Sequence, residues 1–130
     1  MKTIKVCCAV IFWDEKVFAA QRSDDKTLPG YWEFPGGKVE QGEAIFDCIS
    51  REMNEELAMI VRPSHVLPEV FYDYGDFCIE LYPVMCDVDS SDFSLNEHKN
   101  AGWFDIERLN SLKWAPADLP IVRLIVQGDI

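Results

Sequence analysis

Gly36-Gly37-Lys38-Val39-Glu40-Gln41-Gly42-Glu43-Ala44-Ile45-Phe46-Asp47-Cys48-Ile49-Ser50-Arg51-Glu52-Met53-Asn54-Glu55-Glu56-Leu57-Ala58-Met59 is the stretch on which the fold turns. Two glycines lead into a short turn and then a helix of about four turns, expected over Glu43 to Leu57. At about 100° per residue, Ile45, Ile49, Glu52 and Glu56 fall on one stripe, with Cys48 and Glu55 at its margin. The carboxylates therefore continue the apolar face, whereas a solvated helix places its acids opposite. Three carboxylates turned towards the protein repel one another and are costly to desolvate. Acids at a helix C-terminus also oppose the macrodipole. A divalent cation relieves these penalties. Hard oxygen ligands at this spacing suit Mg²⁺, which usually takes substrate phosphates as further ligands.

Upstream of this helix, Lys2 to Trp13 is rich in Val, Ile and Cys and reads as a buried strand. Asp14-Glu15 makes a turn, and Lys16 to Arg22 reads as a second strand pairing back as a hairpin. Trp32 to Gly37 is a short extended piece after a polar loop. Downstream, a short strand over Val61 to Val66 is interrupted by Pro63. Glu69 to Tyr74 and Phe77 to Val88 form a long hairpin turning at Gly75-Asp76. A polar loop from Asp89 to Asn100 precedes a strand over Ala101 to Phe104 and a short helix over Ile106 to Leu112. An amphipathic helix from Pro116 to Gln127 closes the chain. Strands mixed with two or three helices predict an α/β fold with a mixed sheet between helical layers.

At 130 residues the chain reads as one domain, and a 48% hydrophobic share suffices for a single core. Eight Phe, four Trp and four Tyr speak against disorder. A net charge of −11 argues against a nucleic-acid polymer as partner, since a phosphate backbone needs a basic surface. A small nucleotide stays open, because a bound cation changes the local field. The five cysteines are odd in number and lack a Cys-x-x-Cys pair, so free, buried thiols in a reducing cytoplasm are expected. Cys7 and Cys8 should point to opposite faces of their strand. The apolar run Val6 to Trp13 is too short for a membrane span and lacks a small-residue cleavage site, so neither span nor signal peptide is expected.

Several side chains outside the acidic cluster invite a role. Gly36-Gly37 permits positive φ and close backbone approach to a ligand. Lys38 and Arg22 are the cations best placed to meet phosphates. Arg51, four residues before Glu55 and one turn from Asp47, suits an ordinary helical ion pair. Glu43 at the helix start favours the positive helix end. His98 reads as a solvated loop residue, and His65 carries no signal.

From Gly37 the pattern runs Gly, five residues, Glu43, seven residues, Arg51-Glu52-Met53, any residue, Glu55-Glu56, any residue, Ala58-Met59. This resembles the Nudix box of the Nudix hydrolases, with Ala58 where the family has its final glycine. A glycine there serves a left-handed C-cap. Alanine either costs of order 1 kcal/mol at such a site or the helix ends differently. The resemblance implies the Nudix-type α/β/α sandwich. It also implies that Glu52 and Glu56 bind Mg²⁺, or Mn²⁺ in its place, with the Gly37 carbonyl completing the site. Glu55 is then a further ligand or acts through water. Arg51 orients a catalytic carboxylate, and Glu97 matches a carboxylate that MutT-like members use beside the box to bind a second metal or activate water. Either Glu52 or Glu97 takes the proton from the attacking water.

Ala115-Pro116-Ala117-Asp118 resembles the segment where MutT proteins carry an asparagine that reads the base of 8-oxo-dGTP. With Trp32-Glu33-Phe34 ahead of the box, the pattern looks like the CTP pyrophosphohydrolase subgroup. An ionised aspartate only accepts hydrogen bonds, and cytosine offers an amino donor at N4. Asp118 alternatively caps the last helix, or, protonated, imitates asparagine. Phe34 packs either against the base or in the core. Phe34, Pro35, Gly36, Gly37, Lys38, Arg22 and Asp118 are the expected substrate contacts. The implied activity is a nucleoside triphosphate pyrophosphohydrolase on (d)CTP or modified pyrimidine nucleotides, serving nucleotide-pool sanitation and thereby DNA repair. The alternatives are 8-oxo-dGTP hydrolysis and a nucleotide-binding module with weak turnover. The expected partner is a small-molecule nucleotide, and the chain is expected to be a monomer or homodimer.

Overall fold

Strand β1 (Lys2–Trp13) is the axis of a mixed sheet in the computed structural model, which describes residues 2–130. It runs parallel to β7 (Phe77–Asp87), from Lys2 opposite Phe77 to Ile11 opposite Cys86. Its other edge takes the short β4 (Gly36–Lys38), with Val6 opposite Lys38 and Cys8 opposite Gly36. The hairpin with β2 (Lys16–Gln21) exists, but it pairs only Phe12 with Val17 and Trp13 with Lys16. β2 then continues with β3 (Trp32–Glu33) and β8 (Asn100–Asp105). The two strands separate because the rest of β1 is claimed by β7 and β4. The turn between them places Asp14 and Glu15 both at positive φ, 51° and 63°, as a two-residue hairpin turn of the primed type demands.

β5 (Arg62–Val66) and β6 (Val70–Asp73) both pair antiparallel with β7. The register of β5 shifts between Pro63 and His65, where proline has no N–H to give the ladder. β6 and β7 form the expected hairpin, closed by Tyr74 N–H donating to Phe77 O at 2.9 Å.

Alternation along the central strands divides the core in two. Cys7, Ala9, Ile11, Phe18 and Ala20 face α1 (Ile45–Leu57) through its Cys48, Ile49, Met53 and Leu57. Cys8, Val10, Val17 and Ala19 face α2 (Leu119–Gln127) through Ile121, Val122 and Ile125. Adjacent cysteines thus enter different layers, and the architecture is the expected α/β/α arrangement around a mixed sheet. All five cysteines are buried thiols.

Two helices begin later than their sequence patterns. α1 starts at Ile45 with Ala44 as an N-cap that makes no side-chain bond, because alanine carries no acceptor, and Glu43 before it is engaged with Arg51. The last helix starts at Leu119 after a single 3₁₀ turn, Pro116–Asp118. Pro116 and Pro120 have no amide donors, and Pro120 is tolerated only in the first turn. The short helix before it, Ile106–Ser111, is 3₁₀ throughout. At the other end of α1, Ala58 does adopt the left-handed conformation, φ 53° and ψ 33°, with its N–H donating to Asn54 O and the Met59 N–H to Met53 O. The alanine therefore fills the glycine's conformation at a cost of about 1 kcal/mol. Among the described residues no helix is long and apolar enough to cross a membrane.

Candidate active site

The pairing of β4 with β1 draws the two glycines tight against their neighbours. A Cβ on Gly36 would stand 1.9 Å from Cys7 O, and one on Gly37 would stand 2.4 Å from the carboxyl carbon of Glu52. Neither residue has positive φ. Close approach, to β1 and to the Glu52 carboxylate, is what requires glycine here.

Glu52 and Glu56 lie on the inward stripe of α1, as its periodicity predicts, whereas Glu55 at the margin is exposed beside Arg51. Arg51 grips Glu43 with two prongs, Nε to Oε2 at 2.8 Å and Nη2 to Oε1 at 2.9 Å. Its Nη1 donates to Glu52 at 2.8 Å and to Glu55 at 3.4 Å. Asp47 is not its partner. The Arg51 guanidinium, aided by the Glu40 N–H, pulls the Glu43 carboxyl down to about 2. Glu43 thus anchors the arginine rather than favouring the helix end, and the arginine steadies Glu52.

Glu56 is 5% exposed, and its Oε2 has no hydrogen-bond partner. Burial first, and then the adjacent hydrogen-bonded Glu52, push its carboxyl up to about 10. Beyond the helix, the loop over residues 89–99 caps the last carbonyls of α1. Ser94 N–H donates to Leu57 O, Asn96 N–H to Glu56 O, and the Asn96 side chain to Glu55 O. Those carbonyls have no partner within the helix, which is why a polar loop folds back onto them. The fold-back brings Glu97 to the cavity as an exposed residue and buries His98, whose side chain is 5% exposed. His98 is therefore not the solvated residue expected of its loop. Its Nε2 lies 3.0 Å from Glu33 Oε2, and Arg22 donates to the other Glu33 oxygen at 2.8 Å.

Asp118 is the second buried carboxylate, 6% exposed. It makes no capping bond to α2. Its Oδ2 instead accepts the Phe34 N–H at 2.8 Å, a link between residues 84 positions apart. Burial, followed by the charge of Glu33, raises its carboxyl well above the usual range. Phe34 itself is 2% exposed and stacks on Trp114, with ring centroids 4.8 Å apart. It is a core residue that also lines the cavity.

One cavity of about 760 Å³ connects these groups. Gly37, Glu52, Glu56 and Glu97 line it together with Asp118 and apolar or aromatic walls such as Tyr74. Arg22, Phe34, Gly36 and Lys38 also line it. Glu55, Arg51 and Pro35 do not; Pro35 is fully buried, with its carbonyl accepting Ala9 N–H. Glu33 and His98 line it as well, two residues that sequence reasoning gave no function. The spacing of Glu33 ahead of the glycines was the one signal available; the burial of His98 depends on contacts too distant to read.

Among the described residues no three His, Cys, Asp or Glu side chains are gathered closely enough to chelate an ion by themselves. The donor chemistry nonetheless fits a hard divalent cation. Glu56 Oε2 is an orphaned, buried carboxylate oxygen, Glu52 stands beside it, and the Gly37 backbone is free of a Cβ that would fill the cradle. Octahedral Mg²⁺ is commonly completed by water and by phosphate oxygens rather than by an all-protein cage.

The NUDIX domain model matches residues 1–125. A CTP pyrophosphohydrolase of Escherichia coli (strain K12) is 30% identical over 122 residues, covering 94% of this chain and 90% of that protein. An 8-oxo-dGTP diphosphatase of the same strain is 24% identical, covering 94% and 95%. The solution structure of the E. coli ORF135 protein superposes with a TM-score of 0.83 at 29% identity, over 99% of this chain and 92% of that one.

Proposed function

This chain belongs to the Nudix hydrolase family, and from that premise we propose that it converts a nucleoside triphosphate and water to nucleoside monophosphate and pyrophosphate, with (d)CTP or a modified pyrimidine nucleotide as substrate. Nudix hydrolases act on small nucleotides and generally use divalent metal ions. The observation that carries the proposal is the shared cavity, which joins the Glu52–Glu56–Gly37 cradle to the buried Asp118. The 30% identical CTP pyrophosphohydrolase supports the pyrimidine choice.

In this reading Glu52, Glu56 and the Gly37 carbonyl hold Mg²⁺, with Mn²⁺ as a substitute and Glu97 available from the cavity rim. When bound, the cation neutralises phosphate charge and lowers the pKa of coordinated water. Arg51, anchored by Glu43, fixes the orientation of Glu52. Glu55 acts through Arg51 or water, since it lies outside the cavity. Glu52 or Glu97 accepts the proton of the water that attacks phosphorus, and Lys38 and Arg22 meet the phosphates. Asp118 spends one oxygen on Phe34 N–H, which holds the carboxylate still and leaves its remaining acceptor positions for the cytosine N4 amino group. The biological role is nucleotide-pool sanitation.

A second reading follows from the raised pKa of Asp118. A protonated Asp118 donates as well as accepts, as an asparagine does, which favours a purine substrate such as 8-oxo-dGTP. A panel of canonical and oxidised nucleotides with Mg²⁺, products resolved by anion exchange, tests both readings. The first predicts dCTP as best substrate, giving dCMP and pyrophosphate, with turnover abolished by chelator. Preference for 8-oxo-dGTP would replace it with the second, and no turnover on any nucleotide would reduce the chain to a binding module.

A further inference from the structure

Glu33 and Glu56 are two carboxylates on different elements, β3 and α1, that reach the same cavity. Like charges there repel, and the repulsion is strengthened by burial. One side chain stands between them. His98 presents Nε2 at 3.0 Å from Glu33 Oε2 and 3.7 Å from Glu56 Oε1. Glu33 Oε2 lies at hydrogen-bond distance as an acceptor, which assigns Nε2 as the donor. Its Nδ1 is buried with no partner. That orphan shows that packing alone does not favour a histidine here, since a buried unpaired polar atom is a net cost.

The segment that carries the ring is anchored on both sides. Asn96 N–H is tied to Glu56 O and Lys99 N–H to Gln21 O, which pins the loop before and after His98. Glu33, its hydrogen-bond acceptor, is itself fixed by Arg22. The imidazole lies with its N–H edge on Glu33 and against the Glu56 carboxylate. Adjacent Glu97 shares that anchored segment.

We propose that His98 is a positioning residue of the hydrolytic site, which is held on Glu33 through Nε2 and sets its ring edge against the Glu56 carboxylate, fixing that carboxylate for its ligand. The role rests on the reading of Glu56 as a cation ligand. His98 touches no reacting atom and acts through Glu56 and the Glu97 segment. Residues that orient a ligand from behind commonly contribute about 10–100-fold in metal affinity or activity.

Three substitutions separate this role from packing. His98→Gln keeps a donor close to the Nε2 position, His98→Asn moves the donor towards Nδ1, and His98→Phe keeps the ring and removes the donor. Mn²⁺ binding is measured by electron paramagnetic resonance without nucleotide, alongside kcat and KM for the best nucleotide and the melting temperature. His98→Phe and His98→Asn should weaken Mn²⁺ binding and lower kcat by about 10–100-fold, while KM moves less than about twofold. His98→Gln should restore most of both. Should His98→Phe not fold, the Gln and Asn pair still decides. Wild-type Mn²⁺ affinity and kcat in His98→Phe, or equal impairment in Gln and Asn, would overturn the role. Glu56→Gln is the control. If it loses Mn²⁺ binding while the His98 variants keep it, only the role of His98 falls. If it binds Mn²⁺ as wild type does, the cation reading falls and the role of His98 with it.

Discussion

Glu56 and Asp118 are the two buried carboxylates of the described chain, at 5% and 6% exposure, and they line the same cavity. The protein treats them differently. Asp118 receives a backbone N–H at 2.8 Å from Phe34, the residue that directly follows β3. Glu56 receives nothing on Oε2, and its neighbours are another acid, Glu52, and a histidine edge at 3.7 Å. Burial raises both carboxyls, but only at Asp118 does a hydrogen bond oppose the rise. A carboxylate supplied from within is held ready to recognise a neutral or weakly polar group. One left unsupplied fits the proposed cation, whose positive charge would offset the cost of burying the ionised form.

The largest expected effect breaks the unsupplied side. Glu56→Gln should retain the fold and lose on the order of 10³-fold in kcat, equal to about 4 kcal/mol of transition-state stabilisation. Steady-state kinetics under saturating Mg²⁺ checks it, and a wild-type rate would contradict the assignment. Breaking the supplied side should cost stability as well as selectivity. Asp118→Ala leaves Phe34 N–H buried and unpaired, a loss of roughly 1–3 kcal/mol readable by calorimetry. Asp118→Asn keeps an oxygen for that N–H, so it should melt near wild type while the kcat/KM ratio of dCTP to 8-oxo-dGTP falls. A ratio indifferent to both substitutions would remove Asp118 from base reading. A smaller effect is expected at the anchor of Arg51. Glu43→Gln should lower kcat by roughly tenfold, with little change in KM, because Glu52 is then less firmly held.

The smallest effect is a slope with pH. The Glu56 carboxyl rises from an ordinary 4.5 to about 10 in the folded chain. The folded state therefore holds more protons than the unfolded one between these values. The associated stability is full below about 4.5 and is lost as pH climbs towards 10, and Asp118 adds in the same direction. The depressed Glu43 acts only below its ordinary value, so it does not oppose this window. Melting temperatures in chelator should fall steadily from pH 5 to pH 9. A flat or rising profile would contradict the burial of an unpaired Glu56.

Local periodicity reached far in this chain. Acids continuing the stripe of Ile45 and Ile49 announced Glu52 and Glu56, and the Val, Ile and Cys run of β1 announced a strand buried on both faces. Marginal positions were undecided, and Glu55 went to solvent with Arg51 because nothing in the core faces it. The partner of Arg51 was missed because Glu43 reaches it from outside the helix, at a spacing of eight residues that no helical rule covers. His98 was missed for a longer-range reason. Its burial follows from Ser94 and Asn96 capping α1, a need set by the helix and met by a loop about forty residues away. Asp118 looked like a cap from its place ahead of α2, but Phe34 N–H outbid the helix for its oxygen.

The central claim is that Glu56 Oε2 is left without an internal partner because a divalent cation supplies one. Thermal melts of wild type and Glu56→Gln at pH 8, in chelator and in Mg²⁺, test it most directly. Mg²⁺ should raise the wild-type melting temperature, Glu56→Gln in chelator should melt above wild type in chelator, and Mg²⁺ should leave the variant unmoved. Identical melting of the two proteins in chelator, with an equal rise for both in Mg²⁺, would contradict it.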